Sequence, residues 1–410
     1  MKKTTLLLCI ISTFAFLSNA QPVQTGIEVL KNQRFSLLKG KRVGLITNPT
    51  GVDSKLKSTI DILYEAAEVH LVALYGPEHG VRGDYGAGDL VSSGNNDKTG
   101  LPVYSLYGST RKPTAEMLEG VDVLVYDIQD IGSRSYTYIS TMGLAMEAAA
   151  ENDKEFVVLD RPNPLGGEKM EGPLVKPGFA SFVSQFPIPY VHGLTCGELA
   201  TYLNEEKLLS NSVQCKLTVV PMKGWKRDMI FEETGLPWVP SSPHIPHAHS
   251  PYYYPVSGIL GELYVYNIGV GYTLPFQLFA APWIDAEKLA KNLNGLKIKG
   301  VIFRPAHYKP YYSVSKGELV HGVQVHLTDV KAAPLSLIQF YFLQESHKLW
   351  PDKNVFELCD PSRFSMFDKV CGTDEIRKLF SETFAVSSIQ ALWENDVDPF
   401  RKAVMNYLLY

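Results

Sequence analysis

The tetrapeptide Pro77-Glu78-His79-Gly80 sets a carboxylate and an imidazole between residues that shape the backbone. It follows the apolar run His70–Tyr75, which has the length and composition of a buried strand. Gly76 and Gly80 would let a ligand or a second segment approach the backbone closely. Because α/β enzymes place their chemistry where strands end, the segment predicts a functional carboxylate. The peptide by itself is equally compatible with a surface turn whose Glu is solvated.

A second polar segment, 126–138, combines two acids, an arginine and tyrosines. Asp127 and Asp130 are predicted to orient sugar hydroxyls, Arg134 to hold a carboxylate, and Tyr136 to contact the same ligand. The alternative for Asp130 and Arg134 is an ion pair with each other at the start of a helix.

A third segment repeats the theme in Asp160-Arg161-Pro162-Asn163-Pro164, where two prolines stiffen the chain. Arg161 is either an anion contact or the partner of Asp160, and Asn163 is a further polar contact. His192 precedes Thr195 and Glu198, whose spacing is that of a capping box at a helix start. We therefore assign Thr195 and Glu198 to the helix and keep His192 among the ligand-binding residues.

These residue types suit glycoside hydrolysis, which requires one carboxylic acid to protonate the leaving oxygen and a second group as base or nucleophile. Glu78 is the predicted acid, since an apolar strand end and a closing second domain would shield it from water. Asp127 is the predicted ionised partner. Glu262, from the second half of the chain, is another candidate if two domains close over the ligand.

The elements that must position these residues alternate between strands and helices up to about residue 202. Predicted strands cover 41–47, 70–75, 102–106, 121–128 and 156–159, and predicted helices cover 56–67, 114–118 and 140–151. This alternation predicts an α/β fold with a mostly parallel, Rossmann-like sheet. Asn48, Glu78, Asp127 and Asp160 each follow a strand, so they should converge on one edge of the sheet.

The rest of the chain lacks this alternation of strands and helices. It predicts a smaller α+β domain, with a cleft between this domain and the first. Strands are predicted at 216–221, 300–304 and 322–328, a Pro- and aromatic-rich loop at 237–255, and helices at 335–349 and 389–410. The predicted division is a signal peptide at 1–20, a Rossmann-like domain at 21–205 and an α+β domain at 206–410.

Composition excludes several classes of function. The 410 residues carry a net charge of −4, which gives no basic footprint for nucleic acid. The turn after the first strand has no G-x-G-x-x-G, so a dinucleotide cofactor is not indicated, and no cofactor is predicted. The oligomeric state is left open.

The first twenty residues predict export. Lys2 and Lys3 precede the apolar stretch Leu6–Leu17, which is too short to span a bilayer, and Ala20 ends a typical cleavage site. We expect a periplasmic or secreted protein without membrane insertion. The mature chain would keep Cys196, Cys215, Cys359 and Cys371, for which free buried thiols are slightly favoured over two disulfides.

The hypothesis of a metal site depends on His247 and His249. Both side chains could ligate one ion only from an extended strand, with a third ligand such as Asp127 or Glu78 supplied by the first domain. Proline-bounded loops with His often merely line a cleft, so His247 is predicted as a ligand-binding residue and no metal is predicted.

At these motifs the chain resembles the exo-β-N-acetylmuramidase family (NamZ-like, also known as DUF1343). The matching stretches are GLITNPTG at 44–51, LYGPEHGVRG at 74–83, VLVYDIQDIGSRSYTYISTM at 123–142, LDRPNPLGG at 159–167, VHGLTCGELA at 191–200 and GVQVHLTD at 322–329. The resemblance implies an exo-acting glycosidase that releases terminal N-acetylmuramic acid from peptidoglycan fragments. It also implies that the catalytic Glu is Glu78, and that Arg134 or Arg161 meets the lactyl carboxylate of muramic acid.

The second half departs from the family pattern. Where members usually read EGTN and then EGRGTT, this chain has Glu262-Leu263-Tyr264-Val265 and Ile268–Thr273. The Glu is retained, but the polar residues and the Arg are lost. Three alternatives therefore stand beside the muramidase: a related glycosidase with changed specificity, a periplasmic glycan-binding protein without turnover, and a metal-dependent hydrolase.

Overall fold

The computed structural model describes residues 22–83 and 93–410, and their strands form two sheets. The strands are β1 (Arg42–Thr47), β2 (His70–Gly76), β3 (Gly94–Asn95), β4 (Pro102–Ser105), β5 (Val123–Asp127), β6 (Glu155–Leu159), β7 (Lys216–Val220), β8 (Leu278–Ala281), β9 (Val301–Tyr308) and β10 (Val320–Leu327). The helices are α1 (Gly26–Asn32), α2 (Thr59–Glu65), α3 (Tyr138–Glu151), α4 (Cys196–Glu205), α5 (Ser250–Gly261), α6 (Ala286–Gly295), α7 (Ile338–Leu349), α8 (Val355–Leu358), α9 (Phe364–Cys371), α10 (Glu375–Thr383), α11 (Gln390–Glu394) and α12 (Val397–Val404).

The first sheet has seven strands in the order β3-β4-β2-β1-β5-β6-β7 and is parallel except for the antiparallel edge strand β3. The predicted α/β fold, with a second and smaller sheet domain, is confirmed. The strands predicted in the first half are all present. The short helix predicted at 114–118 is wrong, because that stretch forms turns.

Side-chain alternation explains why both faces of this sheet are covered. In β5, Val123 and Val125 pack into the core that contains α1 and α2. Leu124 and Tyr126 point the other way, into the core that contains α3 and α4. A strand buried on both faces reads as a continuous apolar run, as this one does.

The first domain continues well beyond residue 205. Strand β7 pairs in parallel with β6, although we assigned its residues to the second domain from the sequence. The end of the chain also returns to this domain, since Phe400 and Val404 of α12 lie in the core of α3 and α4. The Tyr410 hydroxyl accepts a hydrogen bond from Met222 N at 2.7 Å and donates one to Asp160 at 2.8 Å.

The second sheet is antiparallel, in the order β8-β10-β9, and packs against α5, α6 and α7. Strand β8 was not predicted, because Leu278–Ala281 is a short apolar run with no alternation. Helix α5 overlaps the end of the predicted 237–255 loop. The prolines and aromatic residues that suggested a loop occupy its first turns, Pro251 before the helical hydrogen bonds begin and Pro255 inside the helix.

Three further expectations concern export, cysteines and membrane insertion. The predicted signal peptide at 1–20 lies outside the described residues. The four cysteines among the described residues are buried free thiols, as favoured from the sequence. Within the described parts of the chain, no helix is both long and apolar enough to cross a bilayer.

The two hydrogen bonds of the Tyr410 hydroxyl predict a measurable contribution to the stability of the fold. Tyr410→Phe should lower the free energy of unfolding by about 1–2 kcal/mol, because Met222 N and Asp160 each lose a partner in a largely buried place. Urea unfolding of both proteins measures the difference. Tyr64→Phe is the matched control, since that side chain is 48% exposed, and it should stay within about 0.5 kcal/mol of wild type. Equal stabilities for all three proteins would contradict the assigned anchor.

Candidate active site

Glu78 lies in a tight turn at the carboxyl end of β2. Gly80 N donates to Pro77 O at 2.9 Å and closes the turn. His79, the third residue of the turn, has φ +70°, a left-handed conformation that costs a non-glycine residue free energy. The turn therefore fixes the backbone on both sides of the carboxylate.

Two hydroxyl groups are among the contacts of the Glu78 carboxylate. Thr137 Oγ1, at the N-cap of α3, donates to Oε2 at 2.9 Å. The hydroxyl of Tyr107, just after β4, lies beside the same side chain. Burial and this neighbouring carboxylate raise the pKa of Tyr107 to about 12, so it stays a neutral donor at ordinary pH. A hydroxyl can donate to the carboxylate and accept from the carboxylic acid, so Thr137 can serve both protonation states.

A cavity of about 480 Å³ opens beside Glu78 and is lined by both domains. Its volume is in the range of small-molecule sites. The first domain contributes Glu78, His79, Tyr107, Arg111, Ser135, Tyr136, Thr137, Ser181, Phe182 and Val183. The remaining lining is Ser242, His244, Ile245, Tyr254, Glu262, Phe276, Met366 and Lys369. The predicted cleft between the two domains is present.

Tyrosines connect the two sides of this cavity. The rings of Tyr136 and Tyr254 meet edge to face, with centroids 5.7 Å apart. Ser135 Oγ lies 3.1 Å from the Tyr254 hydroxyl, and Tyr136 OH lies 2.7 Å from Ser241 Oγ. Tyr138 donates to the carbonyl of Ser241 as well. These contacts fix α5 and the loop before it against the start of α3.

Glu262 supplies a second carboxyl group from the second domain. It ends α5, and its Oε2 lies 2.8 Å from Arg363 Nη2. The guanidinium of Arg363 also donates to the Glu262 carbonyl and lies over the ring of Tyr264. Burial raises the pKa of Glu262, while Arg363 opposes that shift.

Two imidazoles line the same cavity. Burial and the nearby His79 lower the pKa of His244, which keeps its ring neutral at pH 7. His244 Nε2 lies 2.7 Å from the hydroxyl of Tyr312. A neutral imidazole can donate from one ring nitrogen and accept at the other, which suits sugar hydroxyls and amides.

Asp127, predicted as the ionised catalytic partner, does not line this cavity. Its side chain is 1% exposed and its Oδ1 lies 2.5 Å from Arg161 Nε. Arg161 Nη2 bonds Oδ2 at 3.0 Å, and Thr59 donates to the same oxygen. Neither Asp127 nor Arg161 lines the cavity, because each satisfies the buried charge of the other.

Arg134 is also structural. It is buried and donates to the carbonyls of Pro173, Ile188 and Val370 at 2.6–2.9 Å. Burial lowers its pKa to about 10, so it stays charged at neutral pH. Arg134 does not line the cavity, and among the described residues it forms no ion pair with Asp130, the alternative predicted from the sequence. Asp130 instead accepts from Gly132 N at 2.7 Å, and its Oδ2 lies 3.3 Å from His192 Nε2.

The other predicted residues at the sheet edge hold loops and helix ends. Asp160 accepts from Thr195 Oγ1 and Gly197 N at the start of α4, where the predicted capping box is present. Asn48 and Asn163 bond to atoms of their own and neighbouring loops, Thr50 and Leu194 among them. These side chains do not line the cavity.

The side chains proposed as metal ligands do not converge on one point in the described residues. His247 and His249 stack with ring centroids 5.3 Å apart near the start of α5, and neither lines the cavity. Asp127, one of the two proposed third ligands, is occupied by Arg161. In the described ranges no group of three or more His, Cys, Asp or Glu side chains is arranged to hold an ion.

Several lining residues were missed from the sequence. Tyr107 follows β4 just as Glu78 follows β2, so the rule of strand ends would have found it. Thr137 adjoins the predicted Tyr136, and His244 lies in the loop from which we chose His247. Lys369 carries no local signal, because it looks like any polar residue of an amphipathic helix.

Comparison with known proteins gives one consistent result. Models of exo-β-N-acetylmuramidase NamZ match residues 43–249 with the N-terminal domain and residues 252–410 with the C-terminal domain. The peptidoglycan β-N-acetylmuramidase NamZ of Bacillus subtilis (strain 168) is 47% identical over 388 residues, which is 95% of this chain and 91% of that protein.

Two solved structures agree with the fold. A DUF1343 family protein from Bacteroides fragilis NCTC 9343 superposes with a TM-score of 0.91 at 64% identity, covering 95% of this chain and 99% of that one. A second DUF1343 protein from the same organism gives a TM-score of 0.76 at 30% identity, with the same coverage. The chain therefore belongs to the exo-β-N-acetylmuramidase NamZ family of glycosidases.

Proposed function

We propose that this protein is an exo-acting glycosidase that removes terminal N-acetylmuramic acid from peptidoglycan fragments, with Glu78 as its general acid and base. Family membership supports the reaction. The observation that supports the residue is the placement of Glu78 in a backbone-strained turn on the wall of a two-domain cavity.

In this mechanism Glu78 protonates the oxygen of the leaving sugar as the glycosidic bond breaks. Thr137 donates to Oε2 of Glu78 and Tyr107 lies beside the same carboxyl group, so the group is held in one orientation and its other oxygen carries the proton to the bond. Glu262 replaces Asp127 as the second carboxyl group, which acts as base or nucleophile at the anomeric carbon. It lines the same cavity from the opposite domain. Tyr136, His79 and His244 are placed to contact hydroxyl and acetamido groups of the sugar.

Glu78→Gln tests the acid. We expect wild type to release 4-nitrophenol from 4-nitrophenyl β-N-acetylmuramide and free sugar from digested peptidoglycan. The variant should lose about 10²- to 10⁴-fold in rate on the glycan. The loss should be smaller on the nitrophenyl glycoside, because nitrophenolate leaves without needing a proton.

Glu119→Gln is the matched control, since that side chain is exposed and does not line the cavity, and it should retain wild-type rates. Equal losses on both substrates would assign Glu78 a role other than proton donor. Near-normal rates in Glu78→Gln, with the fold intact by circular dichroism, would remove Glu78 from catalysis. Failure of wild type on both substrates would overturn the proposed activity.

The environment of Glu262 predicts the acid side of the pH profile. Its pKa is raised above the ordinary 4.5, so the ionised form is lost as pH falls through a value higher than 4.5. If the ionised form is required, kcat/KM should fall in that range and the limb should disappear in Glu262→Gln. Arg363→Met removes the group that opposes the shift, and the limb should then move to higher pH.

Arg304→Met, an exposed arginine on the second sheet, is the control and should leave the profile unchanged. An acid limb that keeps its midpoint in both Glu262→Gln and Arg363→Met would show that another group sets it.

We also propose that the protein acts outside the cytoplasm after cleavage near Ala20, because its proposed substrate is a cell-wall glycan and residues 1–20 have the pattern of a leader. Expression of the full-length chain in a Gram-negative host, followed by N-terminal sequencing of the protein released by osmotic shock, should give Gln21 as the first residue. Intact protein retained with the cytoplasmic fraction would contradict export.

A further inference from the structure

Two cationic side chains line the cavity. Arg111 comes from the first domain and Lys369 from the second. Among residues 22–83 and 93–410, neither side chain forms an ion pair with a carboxylate. The other charged carboxyl groups that line the cavity are Glu78 and Glu262, and Glu262 is already paired with Arg363.

Arg111 is held on the same wall as Glu78. Its Cζ lies 4.3 Å from the ring centroid of Phe182, a cation–π contact. The ring centroid of Phe182 is 6.2 Å from that of Tyr107, whose hydroxyl lies beside Glu78. With one face on an aromatic ring, a guanidinium still presents N–H groups at its edge, which is the geometry that binds carboxylates in a bidentate manner.

Lys369 is positioned from the opposite side by α9. The next residue, Val370, gives its carbonyl to the buried Arg134 at 2.9 Å, which fixes this helix against the first domain. Met366, one turn earlier, lines the same cavity, so this face of α9 is the one that meets a ligand.

A neutral sugar entering here would strip water from both cations and give nothing charged in return, which is unfavourable. A sugar that carries its own carboxylate would satisfy them. The proposed substrate has one, on the lactyl ether at C3 of the same ring whose C1 glycosidic oxygen Glu78 would protonate.

We propose that Arg111 and Lys369 together bind the lactyl carboxylate of the terminal muramic acid and set specificity for it. This assignment rests on the proposed function, and it replaces Arg134 and Arg161, which the sequence suggested for that role. Arg134 acts on the same site indirectly, since it positions the helix that carries Lys369.

The experiment compares 4-nitrophenyl β-N-acetylmuramide with its lactyl primary amide, which has the same shape but no charge. Arg111→Met and Lys369→Met should each lower kcat/KM for the acid about 10- to 100-fold, mainly through KM, and change kcat/KM for the amide little. Arg111→Lys should keep part of the preference. Arg304→Met and Lys288→Met are matched exposed controls and should keep the wild-type ratio of the two substrates.

Equal losses on acid and amide would show that Arg111 and Lys369 only support the fold, and an unchanged ratio in both variants would also overturn the assignment.

A binding measurement tests the carboxylate site separately from the proposed function. Calorimetry with Glu78→Gln should show tighter binding of free N-acetylmuramic acid than of N-acetylglucosamine, and the difference should vanish when Arg111→Met and Lys369→Met are added. If wild type cleaves neither muramide, the activity fails while the binding result still decides the carboxylate site.

Discussion

The buried ion pair between Asp127 and Arg161 is the constraint on which the site depends. Asp127 ends β5, Arg161 follows β6, and Arg161 also donates to the carbonyl of Val52 in the loop after β1. Thr59, at the start of α2, donates a further hydrogen bond to the Asp127 carboxylate. Removing one partner would leave an uncompensated charge at a cost of about 3–5 kcal/mol. Three loops at the carboxyl edge of the sheet are thus held in one arrangement, next to β2, the strand that ends in the Glu78 turn.

The buried ion pair explains why polar residues after the strands were predicted correctly to meet at one edge of the sheet, and why most of them do not line the cavity. Asn48, Asp127 and Asp160 do converge at the edge of the sheet, as alternating strands and helices require. Sequence patterns report that polar groups meet there, but they do not report whether those groups face each other or a ligand. Glu78 differs because its turn carries it past the edge, to the wall of the cavity.

The second domain was harder to predict for a physical reason. Its contribution to the cavity comes from helix ends and loops whose orientation is set by distant contacts, such as Tyr136 with Ser241 and Arg134 with Val370. Glu262 was found because a carboxylate stands out in an otherwise apolar stretch. Lys369 was not, because only the packing of α9 decides that this lysine faces inward. Residues 263–273, where the sequence was expected to depart from the family pattern, do not line the cavity, and its charged side chains come from other segments.

The return of the chain end to the first domain has a consequence for how the protein is made. Phe400 and Val404 fill the core beneath α3 and α4, and Tyr410 closes on Asp160. The first sheet is therefore the first part synthesised and among the last to be completed, because its core lacks these side chains until the final residues are available. A chain that must wait in this way keeps the core of its first domain incomplete until residues 400–410 have been synthesised.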